Sequence, residues 1–184
     1  MRRTAEESAR TRAALMDAAL FVFAETGVAN ARLVDIAARA NVTRGAVYHH
    51  FTDKMALFGA ILAESWDALT VSVWAELDGE GPVRERLTAF LVAWLRDLRE
   101  NERFRALLTI TMSGSVPKPA DMDDEIEIRA YHDWRDRLAR HVSPHAASSL
   151  LAWLCGTAML AAADTDLLPP ADPDGVESLL RGML

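Results

Sequence analysis

The sequence predicts an all-α protein of about nine helices, and three observations carry that expectation. No stretch alternates apolar and polar residues as a half-buried strand does, and no Asn-Gly or Asp-Gly turn sits between two such stretches. Ala, Leu, Arg and Glu, all good helix formers, dominate. Apolar residues recur at steps of three and four along most of the chain.

The first helix is expected over residues 8–26, where Leu15, Ala18, Ala19, Val22 and Phe23 make a core stripe and Gly27 is a natural stop. A short helix near 33–40 puts Leu33, Ile36, Ala37 and Ala40 on one face. Asn41 ends it, because Asn tolerates the left-handed conformation. Thr43 caps a helix over 43–49, and Asp53 caps a long one over 54–77. "DGEGP" at 78–82 is a turn, with Pro82 at a first helical position. Residues 83–99 align Val83, Leu87, Phe90, Leu91, Trp94, Leu95 and Leu98, and a helix near 101–113 follows. "SGSVPKPADMDD" at 113–124 reads as a loop, before a helix over 121–141. The pairs Ser143–Pro144 and Asp172–Pro173 open the last two helices.

A chain of 184 residues, half of them apolar, is long enough for a sizeable core. A functional boundary is expected near residue 54, dividing 1–53 from 54–184. Charge changes at about the same place. Residues 1–54 carry eight Lys/Arg against six Asp/Glu, and residues 55–184 carry twelve against twenty-one. Only the N-terminal part is therefore suited to a polyanion. The single cysteine, Cys155, lies among apolar neighbours and rules out an intrachain disulfide. The lead-in "MRRTAEESARTR" has no apolar stretch of signal type, and no run approaches 18 uninterrupted apolar residues. The expected setting is the cytoplasm, without a membrane partner.

The most informative stretch is "DIAARANVTRGAVYHHF", residues 35–51. A helix-turn-helix needs a small residue where its two helices cross, a turn residue four later and an apolar anchor six beyond that. Ala37, Asn41 and Val47 fit, with Ile36 and Phe51 beside Val47 in the core. Thr43, Arg44, Gly45, Ala46, Tyr48 and His49 are then left outside. Arg44 suits a bidentate contact to guanine, Gly45 a close backbone approach, and Ala46 a thymine methyl. Thr43, Tyr48 and a His suit phosphate oxygens, which position a helix without reading sequence. Lys54, at the start of the following helix, is a further phosphate candidate.

Over about residues 8–62 the chain closely resembles the DNA-binding region of TetR/AcrR-type transcriptional regulators. The resemblance rests on "TR…DAA…F…GV", "DIAxxAxVTRGAVYxHF" and "xDKxxLF", and the lead-in is most similar to efflux-pump repressors of the AcrR kind. It implies a homodimer that binds palindromic double-stranded operator DNA and releases it when a small-molecule effector enters the C-terminal domain. By motif position Thr43, Arg44, Gly45, Tyr48, His50 and Lys54 match the DNA-contacting set. Arg32, Val34, Ala46 and His49 complete the candidates. Two positions depart from the pattern. Ala31 and Arg32 stand where Thr or Ser is common, so Asn30 is expected to supply the cap and Arg32 a charged phosphate contact. Asn41 stands where Gly is usual.

The neighbours His49 and His50 point about 100° apart on a helix and do not make a metal site. No cofactor is expected. Trp66, Phe90, Trp94, Phe104, Met112 and Trp134 are candidates to line a pocket for an apolar or cationic molecule. Taken singly, each is better explained as core; as a set, they suit a pocket between the helices at 54–77, 83–99, 101–113 and 121–141. The segment "PHAASSLLAWLCGTAMLAAA" is apolar over most of its circumference, which suits a central helix or a subunit seam. Leu151, Leu154, Cys155, Ala158, Met159, Leu179 and Leu180 are the candidate dimer residues. An all-helical enzyme using His132, Asp133, Asp136, His141 or His145 is disfavoured. Arg129, Arg135, Arg137 and Arg140 make the same segment an ion-pair face, and there is no nucleophile motif or phosphate loop. A DNA-binding regulator or architectural protein without an effector is the alternative reading.

Overall fold

A computed structural model describes residues 4–112 and 125–183, and among them every regular element is helical. The elements are α1 (Ala5–Asn30), α2 (Leu33–Arg39), α3 (Arg44–His50), α4 (Lys54–Asp78), α5 (Val83–Glu100), α6 (Glu102–Met112), α7 (Glu125–Leu138), α8 (Pro144–Ala163) and α9 (Pro173–Met183). A single 3-10 turn, Thr165–Leu167, was not anticipated from sequence.

Local chemistry accounts for most boundaries. The Thr4 hydroxyl accepts from the Glu7 backbone N–H, and Glu7 answers at the Thr4 N–H, which closes a capping box on α1. The side chains of Thr43, Asp53 and Ser143 accept backbone N–H groups at the starts of α3, α4 and α8. Asp172 does the same for Gly175 in α9. Pro82 precedes its helix as the cap residue, one place earlier than its sequence position suggested. Gly27 lies at φ +75°, so α1 is a helix to Thr26 followed by a kink and a short turn.

Two clusters of buried side chains organise these helices. One joins α1, α2 and α3 to the start of α4 through Leu15, Leu20, Phe23, Ile36, Val47, Leu57 and Ile61. The other joins α4, α5, α7, α8 and α9 around Trp74, Phe90, Trp94, Leu150, Leu154 and Leu180. Helix α6 belongs to both: Ala106, Leu107 and Ile110 enter the first, Phe104 and Leu108 the second. α4 also runs through both, and 25 residues at helical rise span about 37 Å. α1, α4 and α8 are long and apolar enough, by length and composition, to cross a membrane. Here each packs one face against these clusters.

Ion pairs add fixed angles. The Arg12 guanidinium donates two 2.6 Å hydrogen bonds to Glu64, tying α1 to α4, and stacks over the Phe51 ring. Arg103 of α6 meets Asp17 of α1 at 3.2 Å, and Arg84 of α5 meets Glu177 of α9 at 2.9 Å. At the far end of α4, Asp78 pairs with Arg137 and His141, and Arg137 lies over the Trp74 ring.

Two outcomes follow from this packing. Leu107→Ala, which empties a fully buried site, lowers unfolding free energy by about 2–5 kcal/mol in urea titration. The Arg12 hydrogen bonds hold the Glu64 carboxyl below its ordinary value. A carboxyl depressed by folding stabilises above its unfolded value, and that contribution disappears as pH falls through the folded value. The pair is largely exposed, so Glu64→Gln costs at most about 1 kcal/mol at neutral pH. The gap between the variant and the parent chain closes in strong acid, measured by the same titration.

Candidate nucleic-acid interface

The turn between α2 and α3 is set by backbone geometry that the sequence allows. Asn41 takes φ +53°, Val42 N–H bonds to Ala37 C=O at 3.0 Å, and Asn41 N–H bonds to Ala38 C=O at 3.0 Å. This is a Schellman closure with Asn in the left-handed place. Ala37 and Val47 are buried, the first where the helices cross and the second as the anchor of α3.

With Val47 inside, α3 presents Thr43, Arg44, Gly45, Tyr48 and His49 to solvent, while His50 is half-buried. Ala46 is buried beside Val47, so its methyl faces inward and is not offered to a thymine. That corrects its place in the candidate set; a helix this short has one inward face, and Ala46 shares it. Thr43 Oγ1 accepts the Ala46 N–H at 3.3 Å. The Arg44 guanidinium lies 5.5 Å from the Tyr48 ring centroid, and its Nη2 donates to Tyr48 Oη at 3.1 Å. The rings of His49 and His50 meet edge to face at 5.1 Å. A Cβ at Gly45 would touch only Thr43 Oγ1, at 3.9 Å. Gly45 is therefore not required by packing within the subunit, although glycine weakens a helix.

Around α3 the other candidates take different positions. Arg32 and Val34 are exposed on α2, and Arg32 donates two 2.8 Å bonds to Asp35. That hydrogen bonding holds the Asp35 carboxyl below its ordinary value. Asn30 does not cap α2; its amide donates back to Thr26 C=O, and the cap position belongs to Arg32 without a side-chain bond. The reason is the Gly27 kink, which keeps Asn30 inside the α1 turn. Lys54 also differs from expectation in its surroundings. Its ammonium donates to Ala29 C=O at 2.7 Å and Ala31 C=O at 3.1 Å, bracing the chain after the kink against the start of α4. This contact spans 25 residues, and nothing local announces it.

In the rest of the chain, Trp134 lies 5.5–5.6 Å from Trp66, Trp74 and Trp94, and Trp94 lies 5.3 Å from Phe104. Trp94 Nε1 donates to Thr157 Oγ1 at 2.9 Å. Phe90, Trp94, Phe104 and Trp134 are buried, while Trp66 and Met112 are partly exposed at the edge. The loop at 113–124 lies outside the described residues. A groove of about 380 Å³ between α1, α6 and α8, lined by Phe21, Glu25, Arg105 and Thr109 among others, uses none of the pocket candidates.

The seam candidates divide. Leu154, Ala158 and Leu180 are buried in the chain's own core, which removes them as contact surface. Leu151, Cys155 and Leu179 are half-buried, and Met159 is 66% exposed, with Leu160 beside it at 41%. Burial raises the Cys155 thiol above its ordinary value, so it stays protonated. Of the residues weighed for acid–base chemistry, Asp136 pairs with Arg135 and His141 with Asp78. Among the described residues no group of three or more His, Cys, Asp or Glu is placed to hold a metal.

Residues 15–61 match the family profile described as bacterial regulatory proteins, tetR family. The chain is 49% identical over 65 residues to the transcriptional repressor BepR of Brucella suis biovar 1, a stretch covering 35% of this chain and 31% of BepR. It thus spans about a third of that relative. Its fold is similar to that of NalD, the secondary repressor of the MexAB-OprM multidrug efflux pump in Pseudomonas aeruginosa. The TM-score is 0.67 at 27% identity, over 97% of this chain and 95% of NalD. It is similar too to the triclosan complex of SmeT, the repressor of the Stenotrophomonas maltophilia pump SmeDEF. There the TM-score is 0.69 at 26% identity, over 94% and 90% of the two chains.

The Lys54 brace makes a separate expectation. Lys54→Met keeps the aliphatic stem and deletes the ammonium, leaving the Ala29 and Ala31 carbonyls unanswered. A loss of about 1–2 kcal/mol is expected in thermal unfolding, with faster amide exchange confined to residues 28–33.

Proposed function

We propose that this chain, whose residues 15–61 match the tetR family of bacterial regulatory proteins, is a ligand-responsive transcriptional repressor of that family. It binds a palindromic operator as a cytoplasmic homodimer and leaves when a small hydrophobic or cationic molecule enters residues 54–184. An efflux pump is the regulated target. NalD and SmeT, which share this fold, are repressors of such pumps, and SmeT forms a complex with triclosan.

The observation that carries this reading is the outward face of α3. Thr43, Arg44, Gly45, Tyr48 and His49 are exposed on a helix anchored by Val47. Gly45 has no packing reason to be glycine in the free subunit, and a closely approaching duplex supplies one. Arg44 reads a guanine edge, and Thr43, Tyr48, His49 and His50 position the helix on phosphates and bases. Arg32 and Val34 flank them from α2. Lys54 acts mainly through its carbonyl contacts, and any phosphate near it meets the start of α4.

The seam is formed by the exposed side of α8, Met159 and Leu160, with Leu151, Cys155 and Leu179 at its border. A two-fold axis there sets two α3 helices one turn of DNA apart, about 34 Å. The effector site is the aromatic cluster, entered from its Trp66 and Met112 edge. Ligand favours the dimer geometry that fits the operator poorly, by no more than its differential affinity for the two states.

Mobility shift with a duplex enriched from a randomised pool tests both halves. Arg44→Ala is expected to weaken binding by about tenfold or more, and triclosan or a lipophilic cation to release the parent chain. A chain that enriches no duplex ends the proposal. Operator binding that no such ligand alters leaves the architectural alternative.

A further inference from the structure

We infer that Tyr48 is a positioning residue for Arg44: its ring and hydroxyl hold the guanidinium in one plane before DNA arrives, and that restraint sets how well Arg44 discriminates guanine. This rests on the reading of α3 as the DNA-facing helix. Positions 44 and 48 are one turn apart, so their side chains share a face. The guanidinium carbon stands 5.5 Å from the Tyr48 ring centroid, and Nη2 donates to Oη at 3.1 Å. The hydrogen bond fixes the direction of one N–H, and the nearby ring limits how far the guanidinium can swing.

The restraint leaves the reading atoms free. A guanidinium has five N–H groups, and Tyr48 takes one from Nη2. Two parallel N–H groups remain for the O6 and N7 of a guanine. Bidentate recognition depends on the orientation of the fork, and an unrestrained arginine must find that orientation at the moment of binding.

Tyr48 is placed for this and not for the core. Tyr48 is 49% exposed and belongs to neither buried cluster. Its backbone is nonetheless rigid, because adjacent Val47 is fully buried. Gly45, on the same turn, puts no side chain between the pair and an approaching base.

The test is a double-mutant cycle on two duplexes. One is the duplex enriched by the parent chain from a randomised pool. The other carries 7-deazaguanine in place of the contacted guanine, which deletes the N7 acceptor. The parent chain is expected to prefer the natural duplex by about tenfold or more. Tyr48→Ala should lose most of that preference although Arg44 is intact, and Tyr48→Phe, which keeps the ring but not the hydroxyl, should retain more of it. In an Arg44→Ala background, Tyr48→Ala should change the preference no further. Both side chains are exposed, so thermal unfolding should not move. If Tyr48→Ala weakens both duplexes equally and keeps the parent preference, Tyr48 only touches phosphate and the inference is overturned. If Arg44→Ala binds as the parent does, the reading of α3 fails with it.

Discussion

The position of α6 between two apolar clusters constrains the rest of the molecule. Leu107 and Ile110 leave one side of the helix for the cluster under α1 and α2, and Phe104 and Leu108 leave the other for the tryptophans. Arg103 adds an ionic contact back to Asp17 of α1. Close-packed side chains cannot be compressed on one side without moving on the other. A shift of α6 is therefore felt at both ends, and α4, which also crosses both clusters, must follow. The Arg12–Glu64 fork bridges α1 and α4 near the helix-turn-helix, beside the buried packing of Leu15, Phe23, Leu57 and Ile61. Under the proposed function, these three helices are the route by which the aromatic cluster is coupled to α3.

Among the described residues, several cations of the N-terminal region are paired within it. Arg12 is committed to Glu64, Arg39 to Glu25 and the Phe21 ring, and Lys54 to two carbonyls. Arg32 is paired with Asp35, and Arg44 rests on Tyr48. In residues 55–184, Asp78 meets Arg137 and His141. Burial raises the Asp78 carboxyl, and these partners lower it by more, so it stays ionised.

Much of this was legible in the sequence because caps and turns are local. Thr43, Asp53, Ser143 and Asp172 each act on a backbone N–H within three residues. Asn41 and Gly27 took positive φ as their side chains, or the lack of one, permit. The small residue at 37 and the anchor at 47 are read by spacing alone. Asn30 was misjudged because a kink one turn earlier decided what its amide could reach. Ala46 was misjudged because spacing does not say how far an inward face extends on a seven-residue helix.

The sequence alone determined that the described residues are helical, where several helices are capped, and that Thr43, Arg44, Tyr48 and His49 lie outside, since each depends on neighbours a few residues away. Only the tertiary structure decided which side of α8 is inside. That helix is apolar almost all round, and burying Leu154 and Ala158 is what leaves Met159 and Leu160 outside. It also decided that the tryptophans pack on one another and that Lys54 reaches Ala29 and Ala31. These contacts join residues far apart in the chain, and their partners are chosen by packing, which no local pattern encodes.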